Sequence, residues 1–435
     1  MCITEPTTWR ASSPRWSDGP DMERIETDIL IAGGGIAGLT AAAAFASAGL
    51  RAACVDPVPP VTERDAAGSD LRSTAFLMPS VRLLERAGLW EALAAEAAPL
   101  RVMRIADAGG PEHVIRETAD FEAGEVGEPV FGYNLPNWLL RREMVARLED
   151  LEGAELRAGL RLTDVTPRTR EIIARLSDGR QVRAALLVAA DGRDSFVRET
   201  LGIGARRWSY GQKALVFTVA HELPHDGIST EIHRSGGPFT LVPLPDHGGR
   251  PHSAVVWMET GPRAAALAAM AEPEFTEALN RRACGVLGRL ELASPRMLWP
   301  IIAQVAERLD GPRTALVAEA AHVIPPIGAQ GLNMSLRDIA SLIDLAVEAR
   351  AADADIGTPE LLARYHRARH GDILARIAGV DLLNRASMAG LPALRDARRA
   401  GLRLLFGLPP LRRAAMGLGL GAGGDRGAGR PRAAQ

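Results

Sequence analysis

The stretch that most limits how this chain can fold is residues 27–57, TDILIAGGGIAGLTAAAAFASAGLRAACVDP. A short, mostly apolar run at residues 28–32 suits a buried parallel strand. A glycine-rich turn at residues 33–38 follows, and residues 36–48 are rich in small helix-forming side chains. A second apolar run at residues 51–55 completes the pattern. The stretch therefore predicts a strand, a tight turn, a helix and a neighbouring parallel strand.

The three glycines Gly33, Gly35 and Gly38 have the spacing GxGxxG. In this context the first glycine permits the tight turn, the second lets a pyrophosphate approach the backbone, and the third lets helix and strand pack closely. The start of the helix, at Ile36 and Ala37, offers free N–H groups and partial positive charge to phosphates. A glycine-rich turn without a ligand is the alternative, but its place between strand and helix favours a dinucleotide site.

An acidic residue, Asp56, ends the second predicted strand eighteen residues beyond Gly38. This position fits the carboxylate that accepts a hydrogen bond from a ribose hydroxyl in dinucleotide-binding folds. A carboxylate there disfavours a 2′-phosphate, so FAD or NAD is favoured over NADP at this site.

A second motif, LLVAADGRDSFVRETLGI, places Asp191 and Gly192 directly after a predicted buried strand. An Asp-Gly pair is also common where a strand simply enters a turn. Ser195 and Arg198, at fixed offsets beyond the pair, favour a functional interpretation.

The third motif is residues 315–339, ALVAEAAHVIPPIGAQGLNMSLRDI, which joins an apolar strand to a predicted helix starting near Leu332. Glu319 directly follows the strand, where an acid could also serve as a helix cap. His322 is more often a structural residue than a catalyst in such a position. Two residues of the loop stiffen its backbone and two permit close approach of a flat group: Pro325, Pro326, Gly328 and Gly331.

The composition excludes several functional classes. The 435 residues are 47% hydrophobic, enough for more than one domain, and carry a net charge of only −2, which gives no argument for nucleic acid. The three cysteines form no CxxC pair and favour a reducing, cytoplasmic location. We find no secretory signal, no run long enough to span a bilayer and no pattern of metal ligands.

Strand–helix units alternate with hairpin-like segments, so we expect an α/β fold in which a nucleotide-binding domain is interrupted by a β-rich domain. The expected nucleotide-binding segments are residues 22–100, 138–204 and 300–345. The expected β-rich segments are residues 101–137 and 205–299. Residues 346–420 are expected to form C-terminal helices, and residues 1–21 and 421–435 to be disordered.

The three motifs, in this order, resemble those of the single-component flavin-dependent aromatic hydroxylases, whose type member is para-hydroxybenzoate hydroxylase. The resemblance extends from residue 28 to about residue 411 and is closest to the ubiquinone-biosynthesis hydroxylases. Further segments carry it: DLRSTAFLMPSVRLLERAGLW, FGYNLPNWLLRREMVARL, RWSYGQKALVFTV, GPFTLVPLP, VVWMET and ARYHRARHGDILARIAGVDLLNR. It implies a Rossmann-like FAD-binding domain with an inserted β-sheet substrate domain.

The resemblance also implies roles for single residues. The glycine-rich turn and Asp56 would bind the ADP half of FAD, and Arg72 and Arg141 would lie near the flavin. Asp191 and Gly192 match a motif implicated in contacts with FAD and with reduced nicotinamide. The backbone at Gly331, Leu332 and Asn333 would face the N1–C2=O edge of the isoalloxazine.

The chain departs from the family where Gly-Asp usually precedes Ala-Ala-His, because it has Ala318 and Glu319 there. The family's Asp hydrogen-bonds the ribityl chain of FAD. Glutamate keeps the carboxylate but adds a methylene group, and Ala318 adds a Cβ. We expect FAD to bind, with lower affinity or a shifted ribityl chain.

The resemblance implies an NAD(P)H- and O₂-using monooxygenase in which a flavin C4a-hydroperoxide hydroxylates an electron-rich phenol ring. The predicted substrate is a polyprenylated phenol of ubiquinone biosynthesis. A soluble aromatic substrate and a non-catalytic flavoprotein scaffold are the alternatives. Leucine and arginine alternate in residues 395–420, which suits either an anionic membrane surface or a helix with a solvated face. Association with other quinone-biosynthesis proteins is a further expectation.

Overall fold

The structure is a computed structural model that describes residues 24–388, except residues 111 and 235, together with residues 412, 413 and 416. Residues 1–21 and 421–435, which are expected to be disordered, lie outside this described part of the chain. Most of the leucine- and arginine-rich segment, residues 395–420, also lies outside it.

Strands and helices alternate along the described chain. The strands are β1 (Arg24–Ala32), β2 (Ala52–Asp56), β3 (Ser73–Leu77), β4 (Ala98–Leu100), β5 (Val102–Asp107), β6 (Glu117–Glu122), β7 (Gly132–Pro136), β8 (Ala154–Ala158), β9 (Leu162–Pro167), β10 (Ile172–Leu176), β11 (Gln181–Ala189), β12 (Ala205–His221), β13 (Ile228–His233), β14 (Pro238–His247), β15 (Arg250–Thr260), β16 (Leu290–Leu292), β17 (Met297–Ala306), β18 (Asp310–Gly311), β19 (Thr314–Leu316) and β20 (His322–Val323). The helices are α1 (Ile36–Ser47), α2 (Met78–Arg86), α3 (Trp90–Ala94), α4 (Asn137–Asp150), α5 (Phe196–Thr200), α6 (Gly261–Ala269), α7 (Glu272–Ala283), α8 (Ala318–Ala321), α9 (Gln330–Ala351) and α10 (Pro359–Met388).

A parallel sheet forms the centre of the nucleotide-binding fold. Its strands lie in the order β19, β11, β1, β2 and β8, all parallel to one another. The order reverses between β1 and β11, because β1 continues to β2 on one side while β11 continues to β19 on the other. In open α/β sheets such a switch point leaves a crevice at the carboxyl ends of the strands, where ligands bind. The antiparallel strands β9, β10 and β18 extend this sheet.

A second sheet of nine strands is mostly antiparallel, in the order β20, β17, β12, β15, β14, β13, β5 and β6, with β16 beside β12. Helices α6 and α7 cover one face through a core that includes Phe217, Phe239 and Phe275. A small third sheet contains β3, β7 and β4. The expected boundary at residue 300 falls inside β17, which pairs with β12 up to Ala306.

The core explains why the first stretch folds as predicted. Ile29, Leu30 and Ile31 are fully buried in β1, and burying each such side chain stabilises the fold by about 1.5–3 kcal/mol. Helix α1 packs against α4 and α9 through its small side chains. The predicted fold class, an α/β fold with a β-sheet insertion and a helical C-terminal region, is confirmed.

Among the described residues, no helix combines the length and apolar character needed to cross a bilayer.

Candidate active site

The switch point between β1 and β11 holds the first two motifs side by side. Gly33 has a φ of +105°, and a Cβ on it would lie 2.3 Å from the carbonyl oxygen of Ala190, so only glycine fits this turn. A cavity of about 740 Å³ opens there. Its lining includes residues of the first stretch and of the second motif: Gly33, Gly35, Asp56, Asp191, Gly192 and Phe196.

The other glycines of the turn have different surroundings. A Cβ on Gly38 would lie 1.8 Å from the carbonyl oxygen of Gly33, so Gly38 sets the close packing of α1 on the turn. Gly35 has open space at the position of a Cβ and precedes α1, whose first turn contains Ile36 and Ala37. No side chain in the described part of the chain caps this turn. Its N–H groups are therefore available to an anion.

Asp56 lies at the crevice, as the sequence predicts. One carboxylate oxygen accepts a hydrogen bond from the Gly34 N–H at 2.5 Å, and the other accepts one from the Val58 N–H at 2.7 Å. These bonds fix the carboxylate at the end of β2, beside the glycine-rich turn.

The hydrogen-bond partners of Asp191 show whether the crevice suits a cofactor. Its Oδ2 accepts a hydrogen bond from the Val197 N–H at 3.0 Å. Its Oδ1 is buried and has no hydrogen-bond partner in the part of the chain that the structure describes. Burial outweighs the hydrogen bonds from Ser195 and Val197 and raises the pKa of the carboxyl group. A buried acceptor that lines the cavity fits a ligand hydroxyl, such as those of the FAD ribityl chain.

The second and third motifs are joined by arginines. Arg198 donates to the carbonyl oxygens of Ala320 and Arg193, both at 3.0 Å. Ser195 caps α5 by accepting from the Arg198 N–H at 3.0 Å. Arg193 forms an ion pair with Glu319 at 3.1 Å. The sequence interpretation missed Arg193, although its place directly after Asp191-Gly192 was a usable signal.

Ala318, which stands where the family usually has glycine, has an unusual backbone conformation. This residue has a φ of +54°, a left-handed conformation that glycine adopts without cost and that strains other residues. Glu319 follows in α8, and its side chain is about half exposed (49%). The carboxylate is therefore partly exposed to solvent rather than sealed in the core.

His322 has the structural role that the sequence favoured. It is buried, and its Nε2 lies 2.6 Å from Oδ2 of the buried Asp338. This hydrogen bond joins β20 to α9.

The loop before α9 has two consecutive left-handed residues, Gly328 (φ +62°) and Ala329 (φ +54°). Helix α9 begins at Gln330, two residues earlier than predicted, because the left-handed Ala329 already turns the chain into the helix. The first helical turn contains Gly331 and Leu332. Pro325 and Pro326 precede these residues in a tight turn between β20 and α9, in which the Ile327 N–H donates to the Pro325 carbonyl oxygen at 2.8 Å.

The side chain of Asn333 forms four hydrogen bonds within the protein. Its amide nitrogen donates to the carbonyl oxygens of Ala75 and Ala329, each at 2.7 Å. Its amide oxygen accepts from the Leu77 N–H at 2.8 Å and from the Ser80 hydroxyl at 2.6 Å. Only the backbone of Asn333 is left for a ligand. Three of the four bonds fix the start of α9 against β3 and α2.

Arg72 and Arg141 meet at a buried acid that the sequence interpretation missed. Asp70 is 7% exposed and accepts from Arg72 at 2.7 Å and from Arg141 at 3.4 Å. Burial opposes its charge, but Arg72 and its other partners outweigh burial and lower the pKa of Asp70. The guanidinium of Arg72 also lies over the ring of Trp299, 4.7 Å from its centroid. The neighbouring sequence Asp-Leu-Arg was the available signal.

A doubly wound sheet with a glycine-rich turn and a free buried acceptor at its switch point defines a dinucleotide-binding fold. A family model described as FAD binding domain matches residues 26–375. The chain belongs to this family of FAD-binding monooxygenases. The resemblance to flavin-dependent aromatic hydroxylases, the enzyme class and FAD as cofactor are thereby confirmed.

Two relatives match over almost the whole chain. The ubiquinone hydroxylase UbiL of Rhodospirillum rubrum is 38% identical over 405 residues, which cover 93% of this chain and 92% of that protein. The 3-demethoxyubiquinol 3-hydroxylase of Escherichia coli K12 is 28% identical over 92% of this chain and 100% of its own length.

Solved structures share the fold at low identity. The p-nitrophenol 4-monooxygenase PnpA of Pseudomonas putida DLL-E4 superimposes with a TM-score of 0.73 at 19% identity, covering 91% of this chain and 97% of that one. PqsL of Pseudomonas aeruginosa, in complex with 2-aminobenzoylacetate, gives a TM-score of 0.68 at 23% identity, covering 87% of this chain and 99% of that one.

Proposed function

We propose that this flavin-dependent monooxygenase hydroxylates the aromatic ring of a polyprenylated phenol in ubiquinone biosynthesis, with NAD(P)H as reductant. The observation that carries the proposal is the 38% identity to a ubiquinone hydroxylase across 93% of the chain. A second ubiquinone-pathway hydroxylase matches over its full length, so the likeness includes the sheets as well as the cofactor crevice.

The crevice residues would hold FAD. The α1 N-terminus and the glycine-rich turn would bind the pyrophosphate, Asp56 a ribose hydroxyl, and Asp191 Oδ1 and Glu319 the ribityl hydroxyls. Arg72 and Arg141 would lie near the flavin. The full set proposed to contact the cofactor is Gly33, Gly35, Ile36, Ala37, Gly38, Asp56, Arg72, Arg141, Asp191, Gly192, Glu319, Gly331, Leu332 and Asn333.

Bound FAD supplies the chemistry, accepting electrons from NAD(P)H and activating O₂ for transfer to the ring. The protein positions and shields this chemistry. The loop containing Pro325, Pro326 and Gly328 presents its backbone to a flat group, and the N–H groups at the start of α9 favour negative charge that develops there. The Asn333 hydrogen bonds hold that helix start in place.

A prenylated substrate lies in the bilayer, so we also propose contact with the inner face of the cytoplasmic membrane and with other quinone-biosynthesis proteins. Three leucines of α10 support a contact surface, because they are exposed by 44%, 69% and 57%: Leu374, Leu382 and Leu383. Flotation with anionic and neutral vesicles tests this surface, and absence of lipid-dependent flotation would contradict it.

Mass spectrometry of quinone intermediates after gene deletion tests the substrate. The deletion strain should accumulate one under-hydroxylated prenyl phenol. Wild-type protein and Gly124→Ala should restore the quinone, because Gly124 is exposed with open space around it. Gly35→Ala, which alters the proposed pyrophosphate contact, should not.

An unchanged quinone profile in the deletion strain, in which no other hydroxylase compensates, would instead favour a soluble aromatic substrate. The absorbance spectrum of the purified protein tests the scaffold alternative. A flavin spectrum that NAD(P)H bleaches and air restores is expected, and a protein whose flavin is not reduced would favour the scaffold.

A further inference from the structure

Helix α10 contacts the third motif, residues 315–339, at several points along one of its faces. The Tyr365 hydroxyl donates to the carbonyl oxygen of Leu316 at 2.8 Å, just before α8. One turn later, Arg369 Nε donates to Asp338 Oδ1 at 2.9 Å. Residues four apart share a helix face, so a single face of α10 touches both the beginning and the end of this segment.

Ion pairs continue along the same face to the start of α9. Arg369 Nη1 lies 2.8 Å from Asp372 Oδ2, and Asp372 Oδ1 lies 2.9 Å from Arg376 Nε. Arg376 Nη1 then donates to Gln330 Oε1 at 2.9 Å. Burial opposes the charge on Asp372, but the two arginines hold its pKa below the usual range.

The other end of the network reaches the start of the loop. Asp338 accepts from Arg369 through one oxygen and lies 2.6 Å from His322 Nε2 through the other. Asp338 is fully buried, and His322 and Arg369 are 2% and 8% exposed, so solvent screens these contacts little. One connected set of side chains therefore holds both ends of residues 323–329.

The loop that this network holds has a strained backbone. Gly328 and Ala329 both have left-handed conformations, and Ala329 is strained because it has a Cβ. Such conformations persist when the surrounding structure fixes them. Gln330 directly follows, and its contact with Arg376 ties the strained residue to α10.

We propose that Arg376 and Gln330 are positioning residues that set the flavin environment by fixing the loop and the start of α9. The inference rests on the proposed placement of this loop at the isoalloxazine, and not on the identity of the substrate. It assigns α10 a part in tuning the cofactor, although α10 contributes no residue to the crevice.

The test compares Arg376→Met and Gln330→Met with Arg364→Met. Arg364 pairs with Glu348 at 2.8 Å and also joins α10 to α9, but it is exposed and lies outside the network. FAD affinity is measured by fluorescence titration of the FAD-free protein, and the flavin reduction potential by dye-equilibrated reduction without substrate. Both network variants should bind FAD about tenfold more weakly, because FAD then meets a loop that has lost one charge-assisted hydrogen bond holding it in place. Their flavin potential should be more negative, because the N–H groups at the start of α9 are then less well held beside the reduced ring.

Arg364→Met should match wild type in both measurements, and Arg376→Lys should restore part of the potential because it keeps the charge. Network variants with wild-type FAD affinity and potential would overturn the proposal. If Arg376→Met does not fold, Gln330→Met decides, because it leaves the ion pair between Asp372 and Arg376 intact. Failure of the protein to hydroxylate a prenyl phenol would contradict the proposed function and leave these measurements unaffected.

Discussion

Arg193 and Glu319 form an ion pair, with Nε 3.1 Å from Oε2, that joins the segment after β11 to α8. Glu319 stands where the family usually has Asp, and its carboxylate contacts Arg193. The acid at this position therefore has a partner in the second motif.

Glu319→Gln should weaken FAD binding about tenfold, since it removes a charged acceptor proposed to hold the ribityl chain. The free energy of unfolding should change by less than about 1 kcal/mol, because the ion pair is largely solvent-accessible. Fluorescence titration and urea denaturation measure the two quantities. Arg193→Gln breaks the same ion pair but keeps the carboxylate, so it should affect FAD binding less. Equal losses would show that the ion pair, rather than the acceptor, matters.

Ala318→Gly should raise the free energy of unfolding by about 1 kcal/mol, because it removes the strain of a left-handed residue with a Cβ. Ala320→Gly, two residues later in α8, is the matched control. Ala320 has no left-handed φ, so glycine there should destabilise the protein by about 1 kcal/mol. Chemical denaturation of the FAD-free protein measures both. Destabilisation by Ala318→Gly would contradict the strain argument.

Gly35→Ala and Gly38→Ala should separate cofactor binding from folding. Gly35 has an extended conformation and open space at the Cβ position, so alanine should leave the free energy of unfolding within about 0.5 kcal/mol of wild type. FAD binding should fall, because the methyl group occupies the approach of the pyrophosphate. Gly38→Ala should destabilise the FAD-free protein by about 1–3 kcal/mol, because its Cβ would clash with the Gly33 carbonyl.

Thermal denaturation and FAD titration of both variants check this contrast. Normal FAD affinity in Gly35→Ala would contradict the proposed path of the pyrophosphate. A stable Gly38→Ala protein would contradict the packing role of Gly38.

The affinity of the FAD-free protein for FAD should rise with pH above about 4. The raised pKa of Asp191 means that the carboxylate, which accepts the ligand hydroxyl, forms only at a higher pH than in an ordinary aspartate. The raised pKa of Asp191 changes the free energy of unfolding in the opposite direction, because it lowers stability as pH rises. The folded state holds this proton more tightly than the unfolded chain, so the stabilisation is present below about pH 3.9 and is lost as pH rises through the folded pKa.

Asp191→Asn should remove this pH dependence and weaken FAD binding about tenfold at neutral pH. FAD titrations between pH 4 and 7 provide the measurement. A variant that keeps the wild-type pH profile would show that another group is responsible.

The sequence predicted the parts of the fold that depend on local pattern. The turn at Gly33 and the strand ending at Asp56 follow from spacing and hydrophobicity, and both lie where expected. The resemblance added Arg72 and Arg141, but their meeting at Asp70 could not be read from the chain. Asp70 and Arg141 are distant in sequence, and the bond between them depends on the packing of α4.

The start of α9 shows a second limit. Pattern alone placed it near Leu332, whereas the left-handed Ala329 starts the helix at Gln330. The hydrophobic pattern of the sequence does not indicate that a single non-glycine residue such as Ala329 has a left-handed conformation. Likewise, Asn333 was expected at the flavin, but its side-chain partners on β3 and α2 lie more than 250 positions away in the sequence.

The order of strands in the parallel sheet has a consequence for how such chains diversify. The crevice is built by residues at the ends of three neighbouring strands, β11, β1 and β2. Strands β1 and β11 pair in register from Arg24–Gln181 to Ala32–Ala189. One excursion leaves this sheet after β2 and re-enters at β8, and the other leaves after β11 and re-enters at β18. Both insertions therefore begin at the edge of the crevice. Changes within them can alter the surroundings of the cofactor while the parallel sheet that forms the crevice is kept.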